Sequence, residues 1–242
     1  MLSRYLPVFI ILAIIAEILG TVGGFGSSVF FVPVANFFLD FQSVLGITAL
    51  FHVSSNITKI AFFKKGLNKK LILTLGIPAV IFVSVGAFFS KYVDPVILTY
   101  VLGGFLITLS LLFLIFKKLK VKDNSKNAIV GGTLSGLSAG LLGTGGAIRG
   151  ITMAAFKMDK STFIATSAVI DLGVDFSRTI VYYFNGYIHP HDLYLVPILI
   201  VIGIIGTWIG KKILFRISQD QFRNFVLFLI LGVGIASIVT NL

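Results

Sequence analysis

The chain has 242 residues, of which 57% are hydrophobic and 12% charged, and its formal net charge is +11. Soluble domains carry about twice that share of charge, so an ordinary soluble globular fold is excluded. The absence of cysteine removes disulfides, thiolate chemistry and thiolate metal sites. His52, His189 and His191 form no metal-ligand cluster at any recognisable spacing, so no metal or cofactor is expected.

In chain order, Tyr5 to Val22 is the first apolar segment, with Pro7 acceptable near a helix start. Apolar sequence continues well past Gly20 without a small-residue cleavage site, so this stretch is not expected to be a cleavable signal peptide. After Gly23-Gly24-Phe25-Gly26 come a short segment from Ser27 to Leu39 and a longer one from Phe41 to Phe63. A basic turn, Lys64 to Lys70, leads to Leu71–Ser90, then to Val96–Phe116. Beyond the polar stretch Lys117–Asn127 lie Ala128–Leu142, a second glycine-rich break, Ala147–Phe156, Ser161–Phe184, Leu193–Gly210 and Phe222–Val239. Six charge-free runs begin at Phe41, Leu71, Pro95, Asn127, Leu193 and Asn224. Each is about 20 residues long, which a helix needs to cross about 30 Å of hydrocarbon. The fold expected is an all-α polytopic membrane protein.

Positive charge follows the cytoplasmic side of membrane proteins. Lys64, Lys65, Lys69 and Lys70, then Lys117, Lys118, Lys120, Lys122 and Lys126, Lys157 and Lys160, and Lys211, Lys212, Arg216 and Arg223 all fall on one side if ten segments are counted. Arg4 and Lys91 fall on the other, with both termini. The net charge is therefore read as orientation, and no nucleic acid is expected as a partner. The partners expected are the lipid bilayer and a small anion; association into a homo-oligomer stays open.

Shifting the chain on itself by 120 places lays Gly20, Gly23 and Gly26 on Gly140, Gly143 and Gly146, Gly66 on Gly186, and Gly86 with Lys91 on Gly206 with Lys211. Several matches at one offset and in one segment order indicate duplication. The organisation expected is a first repeat over residues 1–116, a basic linker over 117–127 and a second repeat over 128–242, each repeat with about five segments. An odd number of crossings inverts the second half, and the charges agree: the loop at Gly66 is lysine-rich, whereas Asn185–Asp192 has no lysine or arginine. Inverted repeats are a recurring plan of secondary transporters. Channels share such bundles, and the alternative reading is an anion channel, or a transporter of carboxylates or other solutes.

Glycine clusters also serve close helix packing. Here each cluster interrupts an apolar stretch and is followed by a short apolar segment, which favours hairpins that form a pocket. Freed amides at the new helix start suit an anion, so the backbone around Gly24 and Gly145 is expected to donate hydrogen bonds. Neither cluster lies in a strand–helix pattern of the nucleotide-binding kind.

The stretches Gly20-Thr-Val-Gly-Gly-Phe-Gly-Ser-Ser-Val-Phe-Phe-Val-Pro33 and Gly136-Leu-Ser-Ala-Gly-Leu-Leu-Gly-Thr-Gly-Gly-Ala-Ile-Arg149 resemble the sulfite exporter TauE/SafE family of membrane transporters, and the resemblance covers essentially the whole chain. It implies a secondary permease of small anions: sulfite, organosulfonates and related compounds. The second half departs from the pattern at Met153, which stands at the offset of Pro33, and at Arg149.

Glu17, Lys59, Arg149, Asp171, Asp175 and Arg178 fall inside segments, joined by His52 and Asn56. Charge at this depth is costly and faces protein or a watery cavity. Asp171, Asp175 and Arg178 are spaced four then three, on one helical face. His52, Asn56 and Lys59 repeat that spacing at an offset of 119. Two plainer readings compete: an internal Asp175–Arg178 ion pair that only holds helices together, and a Lys59 that snorkels to the inner surface. The functional reading assigns Lys59, Arg149, Arg178 and Asn56 to substrate binding, with the backbone at Gly24 and Gly145. It assigns Asp171, Asp175 and, as a weaker relay, His52 to proton coupling. No nucleophile with an ordered base beside it marks an enzyme, and no Walker-type motif marks ATP-driven transport.

Overall fold

The computed structural model describes residues 2–24, 26–63, 66–116, 122–216 and 219–239. Lys64, Lys65, Lys117, Lys118 and Lys120, which carry part of the orientation argument, lie outside the described residues. Ten helices span the rest: α1 (Leu2–Gly23), α2 (Ser28–Ala35), α3 (Phe41–Phe62), α4 (Lys69–Ser90), α5 (Pro95–Ile115), α6 (Ser125–Leu142), α7 (Gly146–Ala154), α8 (Lys160–Phe184), α9 (Leu195–Leu214) and α10 (Gln219–Val239). A 3₁₀ turn, Pro190–Asp192, leads into α9. Five stretches within these helices are long and apolar enough to cross a membrane: Tyr5–Gly23, Phe41–Phe62, Lys69–Ser90, Pro95–Leu112 and Leu195–Leu214.

Helix starts follow local chemistry. Asp40 accepts from the Ser43 amide at 2.9 Å, Asn124 from the Asn127 amide at 2.8 Å, and Asp159 from the Ser161 and Thr162 amides at 3.0 and 3.1 Å. Each satisfies an orphan donor of a first turn. At the lysine-rich ends the converse holds: Lys211 Nζ donates to the Phe62 carbonyl at 2.7 Å and Lys160 Nζ to that of Leu214 at 3.1 Å, where cations suit a helix C-terminus. The continuous apolar run of α4 hides one irregularity, a π-helical turn over Ile72–Gly76. Pro78 follows it and has no N–H for the regular ladder, and a wider turn is one way a helix absorbs that loss.

On α4, Leu71, Leu75, Ala79, Val83 and Ala87 are buried at intervals of four, while Leu73, Ile77, Ile81 and Phe88 are exposed. A helix apolar all round belongs in hydrocarbon, and the same distribution recurs on α5 and α9. Charge is inverted accordingly: Glu17, Lys59, Arg149, Asp175 and Arg178 are all buried.

The most extensive pairings join one half to the other: α1 with α9, α6 with α4, α3 with α8 and α5 with α10. Numbered within halves, the first helix of each packs on the fourth of the other, while the third and fifth pack on their own counterparts. Glycine permits the closest of these contacts. Gly132, Gly136 and Gly140 of α6 lie against the carbonyls of Leu75, Ala79 and Val83 of α4, a small-residue stripe of the membrane kind. Gly206 and Gly210 of α9 lie against Glu17 and Thr21 of α1 in the same way.

Candidate functional site

Both glycine breaks end a long helix and start a short one beside the α3–α8 crossing. Gly24 at the end of α1 and Gly143 at the end of α6 each have φ of 73°, and Gly26 has φ of 89°; side chains avoid that left-handed region. α2 starts after Ser27 and α7 after Gly145, neither with a side-chain cap on its first amides. Ser27 and Ser28 at one start and Gly145 and Gly146 at the other line the same small space. Gly24's own amide is committed elsewhere, since it donates to the Gly20 carbonyl at 3.0 Å and closes α1.

The carbonyls freed at the second break are satisfied internally, as the hydrocarbon requires. Arg178 Nη1 donates to Gly143 at 2.8 Å and Ala139 at 3.2 Å, and Tyr182 Oη donates to Gly140 at 2.8 Å. Arg178 Nη2 also pairs with Asp175 at 2.7 Å. The ion pair read as the plainer alternative is therefore present, and it forms one wall of the site.

Lys59 does not snorkel. Its Nζ is buried 2.8 Å from Glu17 Oε1 and donates to Ser55 Oγ at 2.8 Å. Glu17 also accepts from Ser27 at 2.5 Å, Ser55 at 2.6 Å, Thr207 at 3.0 Å and Thr21 at 3.3 Å. Four hydroxyls and an ammonium thus converge on one carboxylate and satisfy its acceptor sites. Glu17 stood out in the sequence as an intramembrane acid, but its partners did not. They are common residue types from α1, α3, α9 and the first break.

Arg149, one turn into α7, extends its fork to Asp171 of α8: Nη1 pairs with Oδ1 and Nη2 with Oδ2. Its Nε donates to Ser167 Oγ at 3.2 Å, which aims both terminal nitrogens at the carboxylate. Asn56 Nδ2 donates to Asp175 Oδ2 at 2.7 Å. These two positions correspond at the 119-residue offset, so the counterparts touch each other where α3 crosses α8. His52 Nε2 lies 3.0 Å from Ser27 Oγ, and its Nδ1 lies 3.5 Å from Arg178 Nη2. Ser27 spends its proton on Glu17, so it accepts from His52 Nε2–H, which leaves Nδ1 to face the guanidinium as an acceptor. One network thus joins the two breaks through His52.

The enclosed space between these groups has a volume of about 10 Å³ and is lined by Gly26, Ser28, Asn56, Gly145, Asp171 and Asp175 among others. That is about the room of one water. A second space of about 10 Å³ lies beside it, and both are lined by Gly26, Lys59 and Asp171. Among the described residues, Arg178 Nε is a buried donor without an acceptor. No group of three or more His, Cys, Asp or Glu suited to a metal occurs among them. Every residue assigned from sequence to substrate or proton therefore lies at this crossing.

Two broken-helix hairpins around a buried, polar crossing, carried on helices with apolar outer faces, are the architecture of a multi-pass membrane protein. Residues 9–237 match the family described as sulfite exporter TauE/SafE, and the chain belongs to that family. It is also 28% identical over 254 residues to a probable membrane transporter protein of Methanocaldococcus jannaschii, covering 94% of this chain and 93% of the relative. The protein is accordingly a cell-membrane protein, and the family and the relative it matches are described as an exporter and a probable membrane transporter.

Proposed function

We propose that this protein is a secondary permease of small anions working by alternating access, with its two halves inverted relative to each other. The observation that carries this reading is the convergence of Lys59, Arg149 and Arg178 beside two uncapped helix starts, α2 and α7. Helix N-termini and a guanidinium fork are complementary to oxyanions. The unpartnered Nε of Arg178 supplies a further donor. The family name points to sulfite, and organosulfonates present the same oxygens with an added apolar group.

The size of the enclosed space supports alternating access over an open pore. The space has room for about one water, whereas sulfite alone has four heavy atoms, so loading requires the hairpins to part from the crossing. The exchange of packing partners between halves supplies two similar interfaces on which such rocking can occur. Asp171, Asp175 and His52 are the groups positioned to carry a coupling proton.

Counterflow in proteoliposomes tests the reading, with sulfite and ethanesulfonate offered against monovalent cations and a neutral sugar. Saturable exchange of an anion that disappears in Arg149→Ala, while the protein still inserts and purifies as wild type, is the expected result. Uptake of a cation or sugar that survives Arg149→Ala refutes it, and resolvable unitary currents in a planar bilayer would assign a channel instead.

A further inference from the structure

The three buried cations are matched by three carboxylates, Lys59 with Glu17, Arg178 with Asp175 and Arg149 with Asp171. A substrate anion therefore meets no spare positive charge, and a second anion against a satisfied ion pair is repelled in a low-dielectric site. One carboxylate has to give way. Glu17 is held by four hydroxyls as well as Lys59, and its side chain is 0% exposed. Asp175 is held by Arg178 and by the Asn56 amide and is 4% exposed. Asp171 is 14% exposed, its hydrogen bonds and ion pairs among the described residues run to Arg149 alone, and it borders both enclosed spaces.

We propose that Asp171 is a built-in stand-in for the substrate, a carboxylate that occupies the fork of Arg149 until a proton neutralises it and an oxyanion takes its place. This inference rests on the anion-permease reading. The geometry of the pair is that of the complex it replaces: two oxygens of one planar group on two terminal nitrogens. Ser167 holds Nε of Arg149 in either case, so the fork keeps its direction. The exchange balances. Asp171 takes one proton from water on the open side, its two contacts to Arg149 break, and two contacts form from Arg149 to the anion. With a monoanion the charge of the site is unchanged, and transport is electroneutral at one proton per anion.

The charged groups around Asp171 are Arg149 from α7, Lys59 from α3, and Asp175 and Arg178 on its own helix, with His52 and Asn56 on the α3 face. Glu17 of α1 is tied to Lys59, and α4 presents apolar Val80 near Gly173 of α8. Of the acids in this set, Asp171 alone confronts the fork of Arg149.

The test measures binding of ethanesulfonate, whose charge is fixed from about pH 5 to 8, to detergent-purified protein, together with proton uptake in weakly buffered solution. Wild type is expected to take up one proton per anion bound and to lose affinity about tenfold per pH unit towards alkaline pH. Asp171→Asn is expected to bind with no dependence on pH and no proton uptake, while Asp123→Asn, at an exposed acid outside the site, keeps the wild-type slope. Anion binding by wild type without proton uptake overturns the proposal and leaves the permease reading standing, as does an Asp171→Asn protein that keeps the slope. Where Asp171→Asn does not fold, the wild-type proton count decides. Failure of wild type to bind ethanesulfonate, sulfite or sulfate at any pH removes the anion reading, and the exchange with it.

Discussion

At the first glycine break an acid, Glu17, is closed in by Ser27, Ser55, Thr21, Thr207 and Lys59; at the second a base, Arg149, meets one acid that borders two small spaces. The backbones are alike, with a left-handed glycine ending each long helix. The side chains are not. At the 120-place offset Glu17 corresponds to Leu137 and Arg149 to Val29, so each half carries its own charge where the other is apolar. Lys59 and Arg178, which correspond at 119 places, also divide: Lys59 binds the side chain of its hairpin, whereas Arg178 caps carbonyls of the second hairpin through Gly143 and Ala139. The contrast is between a carboxylate saturated by five donors and one, Asp171, that meets Arg149 alone among the described residues; under the proposed exchange the first hairpin stays fixed while the second can release its partner.

The contrast breaks first at Glu17. Glu17→Ala strands Lys59 and four hydroxyls, and removal of one partner of a buried pair costs about 3–5 kcal/mol. Thermal unfolding in detergent should show that loss, and Glu17→Gln with Lys59→Met should recover most of it. Unchanged melting in Glu17→Ala would mean the first break is not the fixed one.

Packing is the next lever. In Gly136→Leu the added side chain runs into Ala79, whose nearest atoms are backbone, and α4 and α6 must separate. Overpacking of this kind costs about 1–3 kcal/mol. Gly104→Ala is the control, because nothing lies within 4 Å of where its Cβ would sit, and its melting temperature should not fall.

Smaller effects separate the two breaks by what they disturb. Thr207→Val removes one of Glu17's donors and should lower stability by about 0.5–1.5 kcal/mol, with substrate affinity retained. Ser167→Ala frees Nε of Arg149 and should instead weaken anion binding several-fold with little change in melting. The reverse pattern would exchange the roles assigned to the two hairpins. Orientation can be sharpened without energetic cost, since the chain has no cysteine. Single cysteines at Lys122 and His189 should label from opposite sides of the membrane, with Lys122 cytoplasmic.

The sequence by itself determined the class and the helices, and it marked the polar residues that meet at the α3–α8 crossing. Long apolar runs have no stable home in water, and all ten segments appear within a few residues of where apolarity and glycine put them. The faces carrying Asp171, Asp175 and Arg178, and His52, Asn56 and Lys59, were legible because helical spacing fixes them before any packing occurs. Within α4 the π turn escaped, although Pro78 was its signal. Only the tertiary structure decided the partners. Lys59 is long enough to reach either the inner surface or Glu17, and the choice rests on α1 and α9 bringing Glu17 and Thr207 beside it. Hydroxyls such as Ser27 and Ser55 carry no mark in a sequence rich in small residues. The contact of Asn56 with Asp175 exists because α3 crosses α8 at that height. Spacing along a helix is a local property of the chain, whereas the pairing of charges depends on which helices meet and at what depth, and packing alone sets that.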